Sequence, residues 1–210
     1  MNSPVFFDLD GTLTDPKVGI TKSIQFALQQ LDIEAPEADE LVWCIGPPLQ
    51  TNFEILVGKS LSSKAVALYR ERFSQIGWLE NTPYPGVTQV LESLCHRQIP
   101  LYVATSKPHI FAERILDHFQ LSHYFQRVFG SELDGTHCQK AELLKYALEE
   151  TRSPTESTMI GDRKHDVVGA KNNGMNTIGV TYGYGSYAEL QAAGAHKIID
   201  APAEILEFFR

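Results

Sequence analysis

Residues 5–12 read Val-Phe-Phe-Asp-Leu-Asp-Gly-Thr, an apolar run that ends in two acidic residues and a glycine. The β-branched and aromatic residues predict a buried strand, and Gly11 predicts the turn that ends it. Because side chains alternate along a strand, Asp8 and Asp10 point to the same side. The carboxyl end of such a strand borders the ligand crevice of an open α/β sheet, so this run predicts a first strand with site residues. The alternative is a pair of aspartates that only cap the next turn.

Five more short runs rich in β-branched residues follow, and segments with helical spacing lie between them. The first strand, 5–9, is followed by predicted strands at 99–104, 127–129, 158–160, 176–180 and 196–199. The predicted helices are 87–96, 110–119, 139–149, 167–172, 187–192 and 203–209. Strands that alternate with helices are typical of a parallel sheet with right-handed crossovers. We therefore predict an α/β fold, a Rossmann-like parallel sheet with helices on both faces.

One stretch interrupts this alternation. Between Leu13 and Pro85 no strand is predicted, and apolar residues recur with helical periodicity. The three predicted helical segments are 18–31, 49–57 and 61–76. The stretch ends in the breaker-rich segment 81–86, which is typical of a linker. We predict a small α-helical insertion at residues 15–82 after the first strand, with residues 1–14 and 83–210 forming the α/β core.

Composition narrows the class of protein. The chain has 210 residues, 43% of them hydrophobic, which excludes a disordered chain. No apolar run approaches the length of a membrane span. The net charge is −8 and Lys and Arg form no cluster, so no nucleic acid polymer is expected as a partner. An odd number of widely spaced cysteines and a start without a basic leader indicate a cytoplasmic protein. We expect a monomer or a homodimer.

A second acidic cluster follows the predicted strand 158–160. Gly161 and Asp162 end that strand, and Asp166 follows one helical turn later. Since the carboxyl ends of parallel strands share one edge, Asp8, Asp10 and Asp162 would meet there as an oxygen-only site that suits Mg²⁺. Aspartates that only cap turns are the alternative for each cluster alone, and the presence of both clusters argues against it.

Two further positions indicate an anion at this edge. Thr105 and Ser106 end a predicted strand before Pro108, and hydroxyls beside helix N-terminal amides can form a phosphate cradle. Helix capping is the alternative for these hydroxyls. Lys140 opens a predicted helix, where a cation opposes the helix dipole and therefore indicates a facing anion. A surface lysine is the alternative for Lys140.

These segments resemble the haloacid dehalogenase superfamily of phosphatases. Its four motifs are matched, in chain order, by Asp8-Leu-Asp10-Gly11-Thr12, Thr105, Lys140, and Gly161-Asp162 with Asp166. The helical insertion is similar in position to a small type-one cap. Residues 10–16 and 105–108 resemble phosphoglycolate phosphatase-like members, and residues 15–23 resemble bacterial cytosolic 5′-nucleotidases of this fold. Ser106 stands where many relatives have Asn.

The resemblance implies a Mg²⁺-dependent phosphomonoesterase that acts through an aspartyl-phosphate. Asp8 would be the nucleophile, and Asp10 would protonate the leaving alkoxide and then deprotonate the attacking water. The implied Mg²⁺ ligands are an Asp8 oxygen, the Asp10 backbone carbonyl and Asp162. Asp166 would orient these ligands without contacting the cation itself. Lys140 would act in catalysis and in phosphate binding, and the other implied phosphate-binding residues are Gly11, Thr105 and Ser106.

The implied substrate is a small phosphorylated metabolite. The first interpretation is a 5′-nucleotidase that acts on nucleoside monophosphates. The alternative is a phosphoglycolate phosphatase. A sugar phosphomutase, which has the same motifs, is the third interpretation. A relative without activity is excluded because every catalytic position carries the required residue type. Trp43 and Phe53, beside a Gly-Pro-Pro turn, would either stack on a nucleobase or pack between helices of the insertion.

Overall fold

The computed structural model describes residues 3–209, which form two compact units. One unit comprises the residues up to Asp15 together with those from Pro83 onward, and the other is Pro16–Thr82. Across residues 3–209, no helix combines the length and the apolar character that crossing a bilayer requires. Cys44, Cys95 and Cys138 are free thiols.

The strands within residues 3–209 are β1 (Val5–Phe7), β2 (Thr14–Asp15), β3 (Thr82–Pro83), β4 (Leu101–Pro108), β5 (Arg127–Ser131), β6 (Thr158–Gly161), β7 (Asn176–Val180) and β8 (Lys197–Ile199). The α-helices of the same part are α1 (Lys17–Gln29), α2 (Leu49–Val57), α3 (Lys59–Gln75), α4 (Val87–His96), α5 (His109–His118), α6 (Lys140–Thr151), α7 (Lys164–Asn172) and α8 (Tyr187–Ala193). Short 3₁₀ helices span Ala38–Cys44, Gly77–Leu79, Ser122–Tyr124 and Pro202–Phe208.

The first unit contains a six-stranded parallel sheet in the order β5-β4-β1-β6-β7-β8. In its centre, Phe6 of β1 lies opposite Tyr102 of β4 and Met159 of β6. The chain builds β4 and β5 on one side of β1 and the last three strands on the other. The carboxyl ends of β1, β4 and β6 therefore meet where the strand order reverses, which is the usual ligand crevice of such sheets. The predicted parallel α/β fold is confirmed.

Helices cover both faces of this sheet. Phe6 belongs to a buried apolar cluster on one face, which includes Leu143 and Leu144 of α6. Phe7 points to the opposite face, because side chains alternate, and lies near Leu91 of α4. Burial of these large side chains on both faces explains why the central strand reads as an unbroken apolar run.

The second unit, Pro16–Thr82, is helical and has its own apolar core. Tyr69 of α3 stacks on Phe73 with ring centroids 5.3 Å apart and meets Phe53 of α2 edge-on at 6.1 Å. Phe53 is fully buried, so of its two predicted interpretations, packing within this unit is the one that the structure supports. Trp43 is 38% exposed.

Three of the differences between the structure and the sequence predictions have a clear physical reason. The interval 13–85, for which no strand was predicted, contains the two-residue strands β2 and β3, which are too short to produce a detectable period. The strand predicted to end at 104 continues to Pro108. The prediction stopped there because the residues that follow are polar, whereas in the structure pairing with β5 resumes at Pro108 after a register shift. The segment predicted as an α-helix at 203–209 is a 3₁₀ helix, whose i, i+3 apolar spacing resembles that of a short α-helix.

Candidate active site

Three carboxylates lie together at the edge where β1 and β6 end. Asp8 follows β1, Asp162 follows β6, and Asp166 lies in the first turn of α7. One oxygen of each lies within 4.8 Å of the others, and all three residues are buried. Buried carboxylates at this separation repel one another and require positive charge nearby.

Lys140 supplies part of that charge. Its ammonium nitrogen lies 2.9 Å from Oδ1 of Asp8 and 2.8 Å from Oδ1 of Asp166, and it donates to the Ala104 carbonyl at 2.8 Å. Asp8 and Ala104 accept hydrogen bonds from this ammonium group, and Asp166 adds an ion pair. Burial alone would lower the pKa of Lys140, but Asp166 and Asp8 outweigh it and raise that pKa above its ordinary value. The first residue of α6 thus faces anions and is buried rather than solvent-exposed.

Asp10 lies outside this trio and has a cation of its own. Its Oδ2 is 2.7 Å from Nζ of Lys107, and both side chains are buried. Burial raises the pKa of Asp10 above its ordinary value, and Lys107 limits the rise. The sequence prediction missed Lys107. The available signal was a lysine two residues after Thr105, at the end of a strand that leads to the site.

Asp162 and Asp166 differ in which of their carboxylate oxygens have a bonding partner. Asp162 accepts a hydrogen bond on Oδ2 from the Tyr184 amide at 2.7 Å, whereas its buried Oδ1 has no hydrogen-bond partner. Asp166 bonds Lys140 through Oδ1 and the Arg163 amide through Oδ2 at 3.0 Å. Burial, reinforced by neighbouring carboxylates, raises the pKa of Asp162 well above its ordinary value. Burial likewise raises the pKa of Asp166 to about 6, against the opposing effect of Lys140.

This donor set suits a hard divalent cation. Each side chain of the cluster offers a carboxylate oxygen as a metal ligand. The buried Oδ1 of Asp162 has no hydrogen-bond partner, so a bound cation would neutralise a charge that is otherwise unpaired. Two glycines leave room for the carboxylates. A Cβ on Gly11 would lie 2.2 Å from Oδ2 of Asp162, and a Cβ on Gly161 would lie 2.3 Å from Cγ of Asp166. The acidic cluster could therefore hold a metal ion.

Gly11, which was predicted to bind phosphate, lies in the turn after β1. Its amide donates to the Thr14 carbonyl at 2.8 Å, so the turn itself uses that amide. Gly11 has a φ of 86°, which glycine adopts without strain, and it leaves space for the Asp162 carboxylate. In this structure Gly11 forms the turn and leaves space for the Asp162 carboxylate, and its N–H group is already hydrogen-bonded.

Thr105 and Ser106 lie at the carboxyl end of β4, next to the carbonyl that Lys140 binds. Thr105 is buried, and its hydroxyl accepts from the Lys107 amide at 3.3 Å. The Ser106 carbonyl accepts from the Ser131 hydroxyl at 2.8 Å. The capping alternative does not hold, since α5 begins after Pro108 without a side-chain cap.

Comparison with known proteins agrees with this arrangement. The family described as haloacid dehalogenase-like hydrolase matches residues 5–180. The chain is 48% identical over 191 residues to a 5′-nucleotidase of Pseudomonas aeruginosa, covering 90% of this chain and 86% of that one. It is 27% identical over 218 residues to a phosphoglycolate phosphatase of Vibrio parahaemolyticus, covering 97% and 94%.

Among solved structures, a predicted phosphatase from Clostridium acetobutylicum has a TM-score of 0.94 and 42% identity, and the match covers 99% of each chain. The likeness therefore extends over both units as well as over the strand ends that carry the aspartates. The chain belongs to the haloacid dehalogenase-like hydrolase family, and it is a hydrolase of the phosphatase type.

Proposed function

We propose that the protein is a Mg²⁺-dependent phosphomonoesterase that forms an aspartyl-phosphate on Asp8 and acts on nucleoside monophosphates. The observation that carries the proposal is the buried cluster in which Lys140 bonds Asp8 beside the unpartnered Oδ1 of Asp162. Positive charge around a buried nucleophile is what attack on a phosphate dianion requires.

Asp8 attacks phosphorus and displaces the alkoxide of the substrate. Lys140 holds Oδ1 of Asp8 at 2.9 Å, which fixes the carboxylate and offsets its repulsion of the phosphoryl oxygens. Thr105 and Ser106, at the neighbouring strand end, are the hydroxyl residues that we propose to bind those oxygens.

Asp10 transfers the protons. Its raised pKa favours the protonated form, which gives its proton to the departing alkoxide. The resulting carboxylate then takes a proton from the water that attacks the phosphorus of the aspartyl-phosphate. That step releases inorganic phosphate and restores Asp8 and the protonated Asp10, so atoms and charges balance over the cycle.

We propose that Asp8, the Asp10 backbone carbonyl and Asp162 hold Mg²⁺. Asp166 is proposed to support these ligands without binding the cation, with Oδ1 in an ion pair with Lys140 and Oδ2 accepting a hydrogen bond from the Arg163 amide. The cation, when bound, supplies positive charge that lowers the repulsion between Asp8 and the phosphate. Carboxylate oxygens are the ligands that Mg²⁺ prefers.

Residues Pro16–Thr82 would form the cap that selects the leaving group. The 48% identity to a 5′-nucleotidase supports nucleoside monophosphates as substrates. Trp43, which is 38% exposed, is proposed to stack on the nucleobase. Phosphoglycolate is the second candidate substrate, supported by the 27% identical relative. Three free cysteines favour a reducing cytoplasm as the place of action.

A phosphatase screen tests this proposal. The purified chain would be assayed with nucleoside monophosphates, phosphoglycolate, hexose phosphates and p-nitrophenyl phosphate, each with Mg²⁺ and after exhaustive chelation. We expect the highest kcat/KM with a nucleoside monophosphate and no hydrolysis of any substrate after chelation, restored by added Mg²⁺. Full activity in chelated enzyme would refute the metal requirement. A higher kcat/KM for phosphoglycolate, or isomerisation of a hexose phosphate, would refute the nucleotidase assignment.

A further inference from the structure

The loop between β7 and α8, residues 181–186, reads Thr-Tyr-Gly-Tyr-Gly-Ser and packs directly on the proposed magnesium ligand. We call these six residues the Tyr-Gly loop. The Tyr184 amide donates to Oδ2 of Asp162 at 2.7 Å. This bond occupies one carboxylate oxygen and leaves Oδ1 as the buried oxygen without a hydrogen-bond partner.

The two glycines of the loop permit this approach. A Cβ on Gly183 would lie 2.2 Å from the Gly11 carbonyl oxygen and 2.5 Å from Cβ of Asp162. A Cβ on Gly185 would lie 1.9 Å from the Asp162 carbonyl oxygen. Neither glycine has a positive φ, so a left-handed backbone conformation is not the reason for glycine here. The requirement for glycine is therefore one of space against Asp162.

The side chain of Tyr184 anchors the loop. Its hydroxyl donates to Oδ1 of Asp15, and the Tyr84 hydroxyl bonds the Tyr184 hydroxyl. Asp15 immediately precedes the segment Pro16–Thr82 in the sequence, and Tyr84 is the second residue after it. Tyr182 adds a further tie, as its hydroxyl donates to the Thr12 carbonyl at 3.2 Å.

We propose that the Tyr-Gly loop positions Asp162 for the cation, with Tyr184 as the positioning residue. The amide fixes the carboxylate so that Oδ1 is presented to Mg²⁺, and the hydroxyl fixes the amide by tying the loop to Asp15. This inference rests on the magnesium centre of the proposed function. Removal of groups that orient metal ligands typically weakens metal affinity about 10- to 100-fold.

The test is isothermal titration of Mg²⁺ into the metal-free full-length chain and its variants. Tyr184→Phe removes the anchoring hydroxyl and keeps the amide and ring, and we expect its Mg²⁺ dissociation constant to rise about tenfold. Gly185→Ala forces the loop away from Asp162, and we expect a rise at least as large. Tyr187→Phe is the matched control, since Tyr187 is 57% exposed at the start of α8, and its Mg²⁺ affinity should equal that of the wild type.

Two further readouts separate positioning from a merely structural role. At saturating Mg²⁺ the turnover of Tyr184→Phe should return close to the wild-type value, because Asp8, Asp10 and Lys140 are unchanged. A lowered melting temperature of the metal-free variants with an unchanged Mg²⁺ dissociation constant would show that the loop only stabilises the fold, and would overturn the proposal.

Asp162→Asn separates this proposal from the one on which it rests. Weak Mg²⁺ binding by Asp162→Asn together with wild-type affinity in both loop variants would overturn the role of the loop and leave the magnesium centre in place. Wild-type affinity in Asp162→Asn would overturn the magnesium centre and the positioning role together. Weakened affinity in Asp162→Asn, Tyr184→Phe and Gly185→Ala, but not in Tyr187→Phe, is the result that we expect.

Discussion

The ammonium nitrogen of Lys107 lies 2.7 Å from Oδ2 of Asp10, and both side chains are buried. Two buried lysines thus serve different aspartates, since Lys140 bonds Asp8 and Asp166. If Asp10 is the proton donor, Lys107 holds the carboxyl group that must reach the leaving oxygen. The nucleophile Asp8 and the proposed acid Asp10 therefore contact different lysines.

Lys107→Gln is expected to lower turnover by about 10²-fold on alkyl phosphates, the low end of what a positioned acid contributes. The loss should be smaller on p-nitrophenyl phosphate, whose leaving group needs little protonation. Steady-state kinetics on both substrates measures this difference. Lys145→Gln, at an exposed position of α6, is the control and should change neither rate. Equal losses on the two substrates would contradict a role of Lys107 in acid catalysis.

Lys140→Ala is expected to lower kcat on every substrate by at least about 10²-fold, because Asp8 loses its charge compensation. The melting temperature should fall as well, since loss of one partner from a buried ion pair costs about 3–5 kcal/mol. Kinetics and thermal unfolding of the same preparation provide both values, with Lys145→Ala as the exposed control. An unchanged kcat with an unchanged KM would show that Lys140 takes no part in the reaction.

Glu80 stabilises the helical unit through Arg72, whose two terminal nitrogens lie 2.8 and 3.1 Å from its oxygens. Burial alone would raise the pKa of Glu80, but hydrogen bonds from Arg72 and Lys22 outweigh it and lower that pKa below its ordinary value. The stabilisation is therefore complete above the pKa of an unfolded glutamate and is lost as the pH falls through the lowered folded value.

Glu80→Gln is expected to reduce the free energy of unfolding by about 2 kcal/mol at neutral pH, the range for hydrogen bonds to charged groups. The difference from wild type should shrink in acid, below the folded pKa of Glu80. Thermal unfolding between acid and neutral pH measures both. Glu71→Gln, at an exposed position of α3, should match the wild type throughout. A destabilisation that stays constant with pH would contradict the ion pair as its source.

Trp43→Ala is expected to change the ratio of kcat/KM on a nucleoside monophosphate to that on phosphoglycolate at least about fivefold, as loss of one stacked base contact implies. Phe53→Ala is the contrasting variant, because Phe53 is buried within the helical unit. It should lower the melting temperature and affect all substrates alike. Equal losses on both substrates in Trp43→Ala would remove the physical support for base stacking.

The sequence predicts those parts of the site that depend on side-chain type and strand order. Asp8 and Asp162 each follow an apolar run, and parallel strands necessarily bring both to one edge. Lys107 follows Thr105 by two residues, which was the available signal, but the register shift by which β4 continues past Thr105 is not visible in the sequence. Tyr184 was missed because it acts on Asp162 through its backbone amide, a group that carries no sequence signal. The sequence also does not show that the Gly11 amide bonds within the turn, to the Thr14 carbonyl.

The most direct measurement is rapid acid quenching of the enzyme during turnover, followed by mass spectrometry of the peptide that contains Asp8. With p-nitrophenyl phosphate, whose leaving group needs little protonation, the wild type should carry one phosphoryl group on Asp8 during turnover. Asp10→Asn should then accumulate more of it, because the water that hydrolyses the intermediate lacks its base. Asp8→Asn should carry none and should lose several orders of magnitude in kcat. A phosphoryl group on another residue, or retention of more than about a tenth of the activity by Asp8→Asn, would contradict the covalent mechanism.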